Sequence, residues 1–377
     1  MKKIEIRKYK KLKKYKNGLY YDDSNFLIPN QYKFNKFFII IFLSLIIILF
    51  IFFICSFAKR KSKKSNIILN SNTTETNTTE DNYLNYINVA YGFDHDYHYI
   101  THVSMKSIML SQNSTTFINF YILVSNITTN QKEVIDRVGL QHKNCKIIYI
   151  DMGNHYKELN VPKDIYAVWS TANFYRISLP ELLPNEHKIL YLDVDTLIYK
   201  DLTKIYNYNI TDKYFVGMLE YKYFGYAKYF PEKFKNYINT GVLLCNLDEL
   251  RKGNISQKFM QFHEKFKKQI RYPVNDPLNI VTHEKNGYFD PEYVVIGFCD
   301  EEFAFVYYSR TAIKLNQTEV LKAYKDPYIY HLIYYSKPWN TVPRTSKKVC
   351  VDPFTRFFEM ARKTDYYYEI LDKFIVK

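Results

Sequence analysis

Glycine is scarce in this 377-residue chain: there are ten, and no two lie closer than Gly217 and Gly225. A Walker phosphate loop and a dinucleotide Gly-x-Gly-x-x-Gly turn both need glycines packed within six or so positions. Neither fits. A nucleotide bound here is therefore not held by a glycine-rich cradle, and a metal ion must neutralise its phosphates. A Ser-nucleophile elbow, a His-Glu-x-x-His zinc site and a Cys-x-x-Cys pair are also missing, which removes the hydrolase, zincin and thiol-metal readings attached to them. No long-period internal repeat is present.

Acidic residues are few at the beginning of the chain. Residues 1–64 hold 16 Lys/Arg against 3 Asp/Glu, while the other 313 hold 37 against 35. The net charge of +15 is thus concentrated in the N-terminal segment, and a nucleic-acid-binding face on the folded part is not expected. Phe37 to Phe57 is a charge-free run of 21 residues, long enough to cross a bilayer as a helix. The basic stretch before it outweighs the basic cluster Lys59–Lys64, which favours a cytosolic N-terminus and a lumenal bulk. Sequons at Asn72, Asn77, Asn113, Asn126, Asn209, Asn254 and Asn316 agree with that side. The expectation is a single-pass type II protein of the Golgi or another secretory membrane. It has a basic tail over 1–36, a membrane helix over 37–57, a polar stem over 58–85, a main folded domain over 86–345 and a helical tail over 346–377. Five cysteines fit either compartment. Cys145 and Cys245 sit in apolar stretches and read as core thiols, whereas Cys299 and Cys350 are candidates for a pair.

From residue 86 the pattern alternates between the two secondary-structure periods. Strand-like runs cover Ile87–Tyr91, Phe117–Val124, Lys146–Asp151, Lys188–Asp193, Tyr214–Met218 and Gly241–Cys245. Helical spacing covers Tyr99–Leu110, Glu133–Gly139, Ser170–Leu182 and Ser256–Lys267. Alternating strands and helices predict an α/β sheet covered on both faces. The 38 tyrosines and 28 phenylalanines are spread evenly and read as core and strand filler.

The segment Lys188-Ile-Leu-Tyr-Leu-Asp-Val-Asp-Thr-Leu-Ile198 carries the chemistry. Residues two apart on a strand project together, so Asp193 and Asp195 reach one rim, and ligands bind at the carboxyl rim of open α/β sheets. Two hard oxygen donors there suit Mn²⁺ or Mg²⁺ with a ligand phosphate. Spacing alone proves little, since Asp-x-Asp arises about once by chance in such a chain, and Asp94-His-Asp96 is a second copy. Near the C-terminus, His331-Leu-Ile-Tyr-Tyr-Ser-Lys-Pro-Trp339 offers an imidazole as a third metal ligand and Lys337 as a phosphate contact. Read alone, the same segment is a structural histidine at a strand end followed by a solvated lysine.

The order of segments resembles the family 8 retaining glycosyltransferases, which include glycogenin and bacterial lipooligosaccharide galactosyltransferases. The resemblance spans about Ile87 to Trp339. It rests on Val89-Ala-Tyr-Gly-Phe-Asp-His-Asp-Tyr97 with Val103-Ser-Met-Lys-Ser-Ile108, on Phe174-Tyr-Arg-Ile-Ser-Leu-Pro-Glu-Leu182 leading into Tyr191-Leu-Asp-Val-Asp195, on Ile238-Asn-Thr-Gly-Val-Leu-Leu-Cys-Asn246, on Asn275-Asp-Pro-Leu-Asn279, and on the His331 to Trp339 segment. It implies a GT-A-type nucleotide-diphospho-sugar transferase fold, a mixed sheet flanked by helices. It also implies transfer of a hexose or related sugar from a UDP-sugar to a glycan or glycoconjugate, with Mn²⁺ or Mg²⁺. Carried over by position, Asp193, Asp195 and His331 look like the metal ligands and Lys337 the diphosphate contact. Asp94 and Asp96 match the uracil and ribose positions, and Arg176 matches an arginine that reaches the donor. Asn239 matches a residue that positions sugar hydroxyls, and Asn275 with Asp276 matches the Gln-Asp pair beside the anomeric carbon. The chain departs from the family pattern at three places. Val274 replaces the first acid of Asp-Gln-Asp and Asn275 shortens its amide, Tyr334 stands where a glycine usually follows the ligand histidine, and Asp96 replaces a common Asn. These departures motivate a second reading, a non-catalytic membrane-anchored binder of nucleotide sugars or glycans. A third, a basic membrane-tethered scaffold, rests on the N-terminal charge alone.

Overall fold

The computed structural model describes residues 83–94, 97–159, 170–220, 237–270, 272–297, 317–333, 337–339 and 351–375. The expected basic tail over 1–36, the membrane run, the stem up to residue 82, the Cys299–Cys350 pair, Asp96 and Tyr334 lie outside them, while the last residue of the expected stem, Asn85, already opens the first strand. Among the described residues no helix is long and apolar enough to cross a membrane.

The chain opens with β1 (Asn85–Gly92), α1 (His98–Ser111), β2 (Thr116–Val124), α2 (Thr129–Gln141) and β3 (Cys145–Asp151). Thr128 starts α2 through a reciprocal capping box with Gln131, which satisfies two backbone donors that the first turn would leave open. A 3-10 helix over Thr171–Ser178 runs into the short α3 (Leu179–Leu182), which carries a proline in its first turn. The regular helix expected over Ser170–Leu182 is therefore mostly 3-10. Then come β4 (Lys188–Leu192), β5 (Thr196–Ile198), α4 (Thr203–Tyr206), β6 (Phe215–Leu219) and β7 (Ile238–Asn246). The chain continues through α5 (Leu247–Lys252), α6 (Ile255–Phe266), α7 (Asn275–Thr282), β8 (Asn286–Tyr288) and β9 (Val294–Gly297). It ends with α8 (Gln317–Lys325), β10 (Ile329–Leu332), α9 (Val351–Ala361) and α10 (Tyr367–Ile375).

Seven strands form a mixed sheet in the order β3-β2-β1-β4-β7-β6-β8. The pairs β3/β2, β2/β1 and β1/β4 are parallel, and β7 runs antiparallel to both β4 and β6. The strand order moves outward from β1 to β3 and then resumes on the other side of β1 at β4. The crevice beyond the carboxyl ends of β1 and β4 is therefore a topological switch point, the place where such sheets bind ligands.

Strand alternation sends successive side chains to opposite faces. Ile87, Val89, Tyr91, Leu190 and Leu192 join one buried cluster, and Ala90, Ile189 and Tyr191 join the other. The first cluster lies under α1 and α2, and the second under the 3-10 helix, α5 and α6. A second sheet, β5-β10-β9, packs into the first cluster. Its central strand pairs antiparallel with β5, His331 facing Thr196, and parallel with β9.

The C-terminal helices differ from the expected appended tail. Phe357, Met360, Ala361 and Ile370 are buried in the same cluster as β1 and α1, and Arg137 on α2 pairs with Asp365 at 2.5 Å. Residues 351–375 thus contribute to the same buried core as β1 and α1. Cys145 and Cys245 are free thiols, as expected, and burial pushes them up to about 11 and about 12. They are poor nucleophiles at neutral pH.

Candidate active site

β4 ends at Leu192, and the next residue, Asp193, stands at the switch point, its backbone N–H bonded to the Gly241 carbonyl at 2.6 Å. Asp195 lies two residues on, just before β5, and its carbonyl accepts from Leu332 N–H at 2.8 Å. That bond and the β5/β10 ladder place His331 against the acids from 136 residues away. His331 Nε2 lies 3.1 Å from Asp195 Oδ1 and 3.9 Å from Asp193 Oδ2. One ligand atom from each of the three residues falls within 4.8 Å of the others.

The residues fit a divalent cation. Two carboxylate oxygens and an imidazole nitrogen are a hard-to-borderline donor set suited to Mn²⁺ or Mg²⁺. The space they share exists because Gly241 has no side chain. A Cβ there would strike His331 and come within 2.6 Å of Asp193 Oδ2. Glycine inside a strand commonly marks such a close approach.

The site is electrostatically balanced. Lys337 Nζ sits 2.6 Å from Asp195 Oδ2, and Arg176 Nη2 sits 2.6 Å from Asp193 Oδ1. Burial by itself would raise the Asp195 pKa, but Lys337 and His331 outweigh it and hold the carboxyl well below the usual range. Burial likewise opposes the Lys337 charge, and Asp195 overrides it, so the ammonium is held above the ordinary lysine value.

Arg176 is 4% exposed. Its Nε donates to Asn173 O at 2.9 Å, its Nη1 donates to Thr240 O, and the guanidinium stacks 4.2 Å over the Tyr191 ring. Tyr191 OH also donates to Asp193 Oδ1, at 3.2 Å. Arg176 lines the cavity, and its guanidinium is held there by these protein contacts. Two groups hold Asp193 Oδ1 and leave Oδ2 turned toward His331, the usual way an outer shell orients a metal ligand.

The cavity wall brings together most of the expected residues: Asp94, Arg176, Asp193, Asp195, Asn239, Asn275, His331 and Lys337 all line it. Asp276 does not. It is fully buried behind the wall, its Oδ1 accepting from Tyr237 OH at 2.7 Å and its Oδ2 from Tyr272 N–H at 2.9 Å. That corrects its expected place beside the sugar and makes it the anchor of the α7 start. Asn239 lines the cavity but is tied on both ends, Nδ2 to Glu220 at 2.7 Å and Oδ1 from Gly241 N–H at 2.8 Å.

Sequence reasoning missed Thr240, Gly241 and Tyr97, all in the same wall, and Val274, read as a departure from the family pattern, lines it too. Gly241 carried the one readable sign, a glycine inside a strand-like run in a chain that has few. Thr240 carried none.

The family is shown by a family model, glycosyl transferase family 8, which matches residues 88–342; the chain belongs to that family. A putative glycosyltransferase of Haemophilus influenzae is 28% identical over 226 residues, covering 59% of this chain and 64% of the relative. A glycosyltransferase 8 domain-containing protein of Xenopus tropicalis is 26% identical over 215 residues, covering 48% and 58%. The chain thus spans about three-fifths of the length of these two. The lipopolysaccharide 1,2-glucosyltransferase of Escherichia coli is 23% identical over 68% of this chain and 80% of its own. Among solved structures, the galactosyltransferase LgtC in complex with donor and acceptor sugar analogues superposes with a TM-score of 0.60 at 20% identity. That match covers 74% of this chain and 96% of that one. It shows a GT-A-like mixed-sheet fold.

Proposed function

We propose that the protein is a metal-dependent retaining glycosyltransferase that moves a hexose or related sugar from a UDP-sugar to a glycan or glycoconjugate. One observation carries this reading: Asp193, Asp195 and His331 converge at the switch point of the sheet, with Lys337 beside them.

The three ligands would hold Mn²⁺ or Mg²⁺, which supplies charge neutralisation for the departing diphosphate. Lys337 adds a point charge on the same side. Asp94, at the end of β1, lies on the cavity wall where a nucleoside would meet it. The carboxylates of the described wall are Asp94, Asp193 and Asp195, two of them metal ligands. With Asp94 assigned to the nucleoside, Asp193 and Asp195 to the metal, Asp276 buried behind the wall and Val274 apolar, no carboxylate of the described wall is left over to serve as a sugar nucleophile. A retaining transfer then runs by same-face attack through an oxocarbenium-like state.

UDP release from UDP-glucose, UDP-galactose, UDP-xylose and UDP-glucuronic acid, with and without Mn²⁺, tests this on the fragment from about residue 83. Turnover that needs Mn²⁺ and drops at least about 100-fold in Asp195→Ala supports it. Undiminished turnover in that variant sinks the metal assignment. Binding of UDP with no turnover of any donor favours the non-catalytic reading that Val274 motivates.

The proposed setting is a secretory membrane, Golgi or another, with the N-terminal run as a type II anchor and the enzyme lumenal. Support comes from the uncharged run, its basic flank and the sequons. All four sequon asparagines among the described residues, Asn113, Asn126, Asn209 and Asn254, are exposed. Digestion of the catalytic domain by protease added outside intact microsomes would rule that topology out.

A further inference from the structure

Thr240 occupies a position that a regular strand could not give it. On an ordinary strand, neighbours point to opposite faces, so Asn239, Thr240 and Gly241 could not all line one cavity. Here all three do. The cause is an irregularity in the β6/β7 ladder: Gly217 pairs with Leu243, but the next residue, Met218, pairs with Asn239. Residues 240–242 of β7 have no counterpart on β6. Such bulges re-aim side chains beside active sites.

The re-aimed threonine is used at both ends. Its hydroxyl donates to Asn275 Oδ1, and its carbonyl accepts from Arg176 Nη1. Arg176 in turn holds Asp193 Oδ1 at 2.6 Å. Thr240 is 3% exposed and Arg176 4%, so water competes little for these bonds.

We propose that Thr240 is the positioning residue of this site: together with Arg176 it forms a buried brace that fixes the Asn275 amide relative to the metal-binding acid Asp193. With its carbonyl oxygen taken by Thr240, Asn275 has its amide NH₂ to offer a sugar hydroxyl. The brace also compensates for the short side chain at 275, since an asparagine reaches less far than a glutamine and gains more from being locked. The inference deepens the proposed function, and only its kinetic arm rests on that reading.

The test compares Thr240→Val, which keeps the shape and removes the hydroxyl, with Thr240→Ser, which keeps the hydroxyl. Kinetics use UDP-galactose and UDP-glucose with Mn²⁺. The expected result is a kcat about tenfold lower in Thr240→Val with donor KM within about threefold, and recovery of most of the loss in Thr240→Ser. A thermal-melt cycle of Thr240→Val with Asn275→Ala gives a readout free of turnover. The double variant should lose less than the sum of the single losses, by on the order of two degrees. Additive melts, or Thr240→Val and Thr240→Ser both turning over like the parent, overturn the proposal. If the parent releases UDP from no donor, the proposed function fails and the melt cycle alone decides on the brace.

Discussion

Arg176, Asp193, Asp195 and Lys337 are each paired within the site, so single substitutions have separable effects. Arg176→Lys keeps the charge and removes the fork that spans Asp193 and Thr240. Mn²⁺ affinity, titrated without nucleotide, should fall about tenfold, the scale expected when an outer partner of a metal ligand is lost. If Arg176 instead contacted the donor, UDP affinity would drop and Mn²⁺ affinity would hold. Gly241→Ala puts a methyl group against His331 and Asp193. It should abolish measurable Mn²⁺ binding while far-UV circular dichroism stays that of the parent, because the clash is confined to the cradle. At this scale the sequence was informative about residue types and poor about directions. Asp193 and Asp195 were readable because they follow directly on an apolar strand-like run, although the strand stops at Leu192 and the acids reach the cavity from the turn after it. Asp276 reads like Asn275 in the sequence, yet one lines the cavity and the other is bonded to Tyr237 behind it.

The elements that matter most to the site are the short ones. β5, three residues long, was not anticipated, and β10, four residues long, only as a strand end at His331, because so few residues show no period. They nonetheless deliver His331 to the acids. The two C-terminal helices were expected as a tail, since an amphipathic helix does not say what covers it. Their apolar faces complete the core above α1, where Phe357 is 1% exposed and its ring lies 5.1 Å from that of Trp339. Tyr330, next to His331, donates to Asp352 at 2.8 Å, so α9 also restrains the metal-ligand strand. Phe357→Ala should cost about 3–5 kcal/mol, read as a shift in the urea midpoint. A loss below about 1 kcal/mol would mean that these helices are peripheral to the fold.

For the whole molecule, pH sets a stability limit through a group far from the cavity. His102 on α1 is fully buried. Its Nδ1 lies 2.7 Å from Val134 O, and its ring packs edge-on to Tyr366. Burial lowers its pKa to about 4 from 6.5, with Lys106 and Arg137 also lowering it and the Val134 bond and Asp365 raising it. The unfolded chain therefore takes up this proton first as pH falls. The stabilisation is whole above 6.5 and declines toward 4. Between pH 7 and pH 5 the loss from this residue is about 2 kcal/mol. Urea unfolding at the two pH values should show it, and His102→Gln, which can still donate to Val134, should remove that part of the slope.

The sequence by itself determined the α/β class, the strand that leads into the acid pair, the family, and the absence of a glycine-rich phosphate loop. All of these are set by local periodicity, by spacing or by composition. Only the tertiary structure decided that His331 meets the two acids, that Arg176 faces Asp193 and Thr240, that Asp276 points away, and that the last helices belong to the core. Those outcomes depend on pairing between strands distant in the chain and on one irregularity in a ladder. Free energies of that kind arise from contacts across the fold, and no window of neighbouring residues contains both partners.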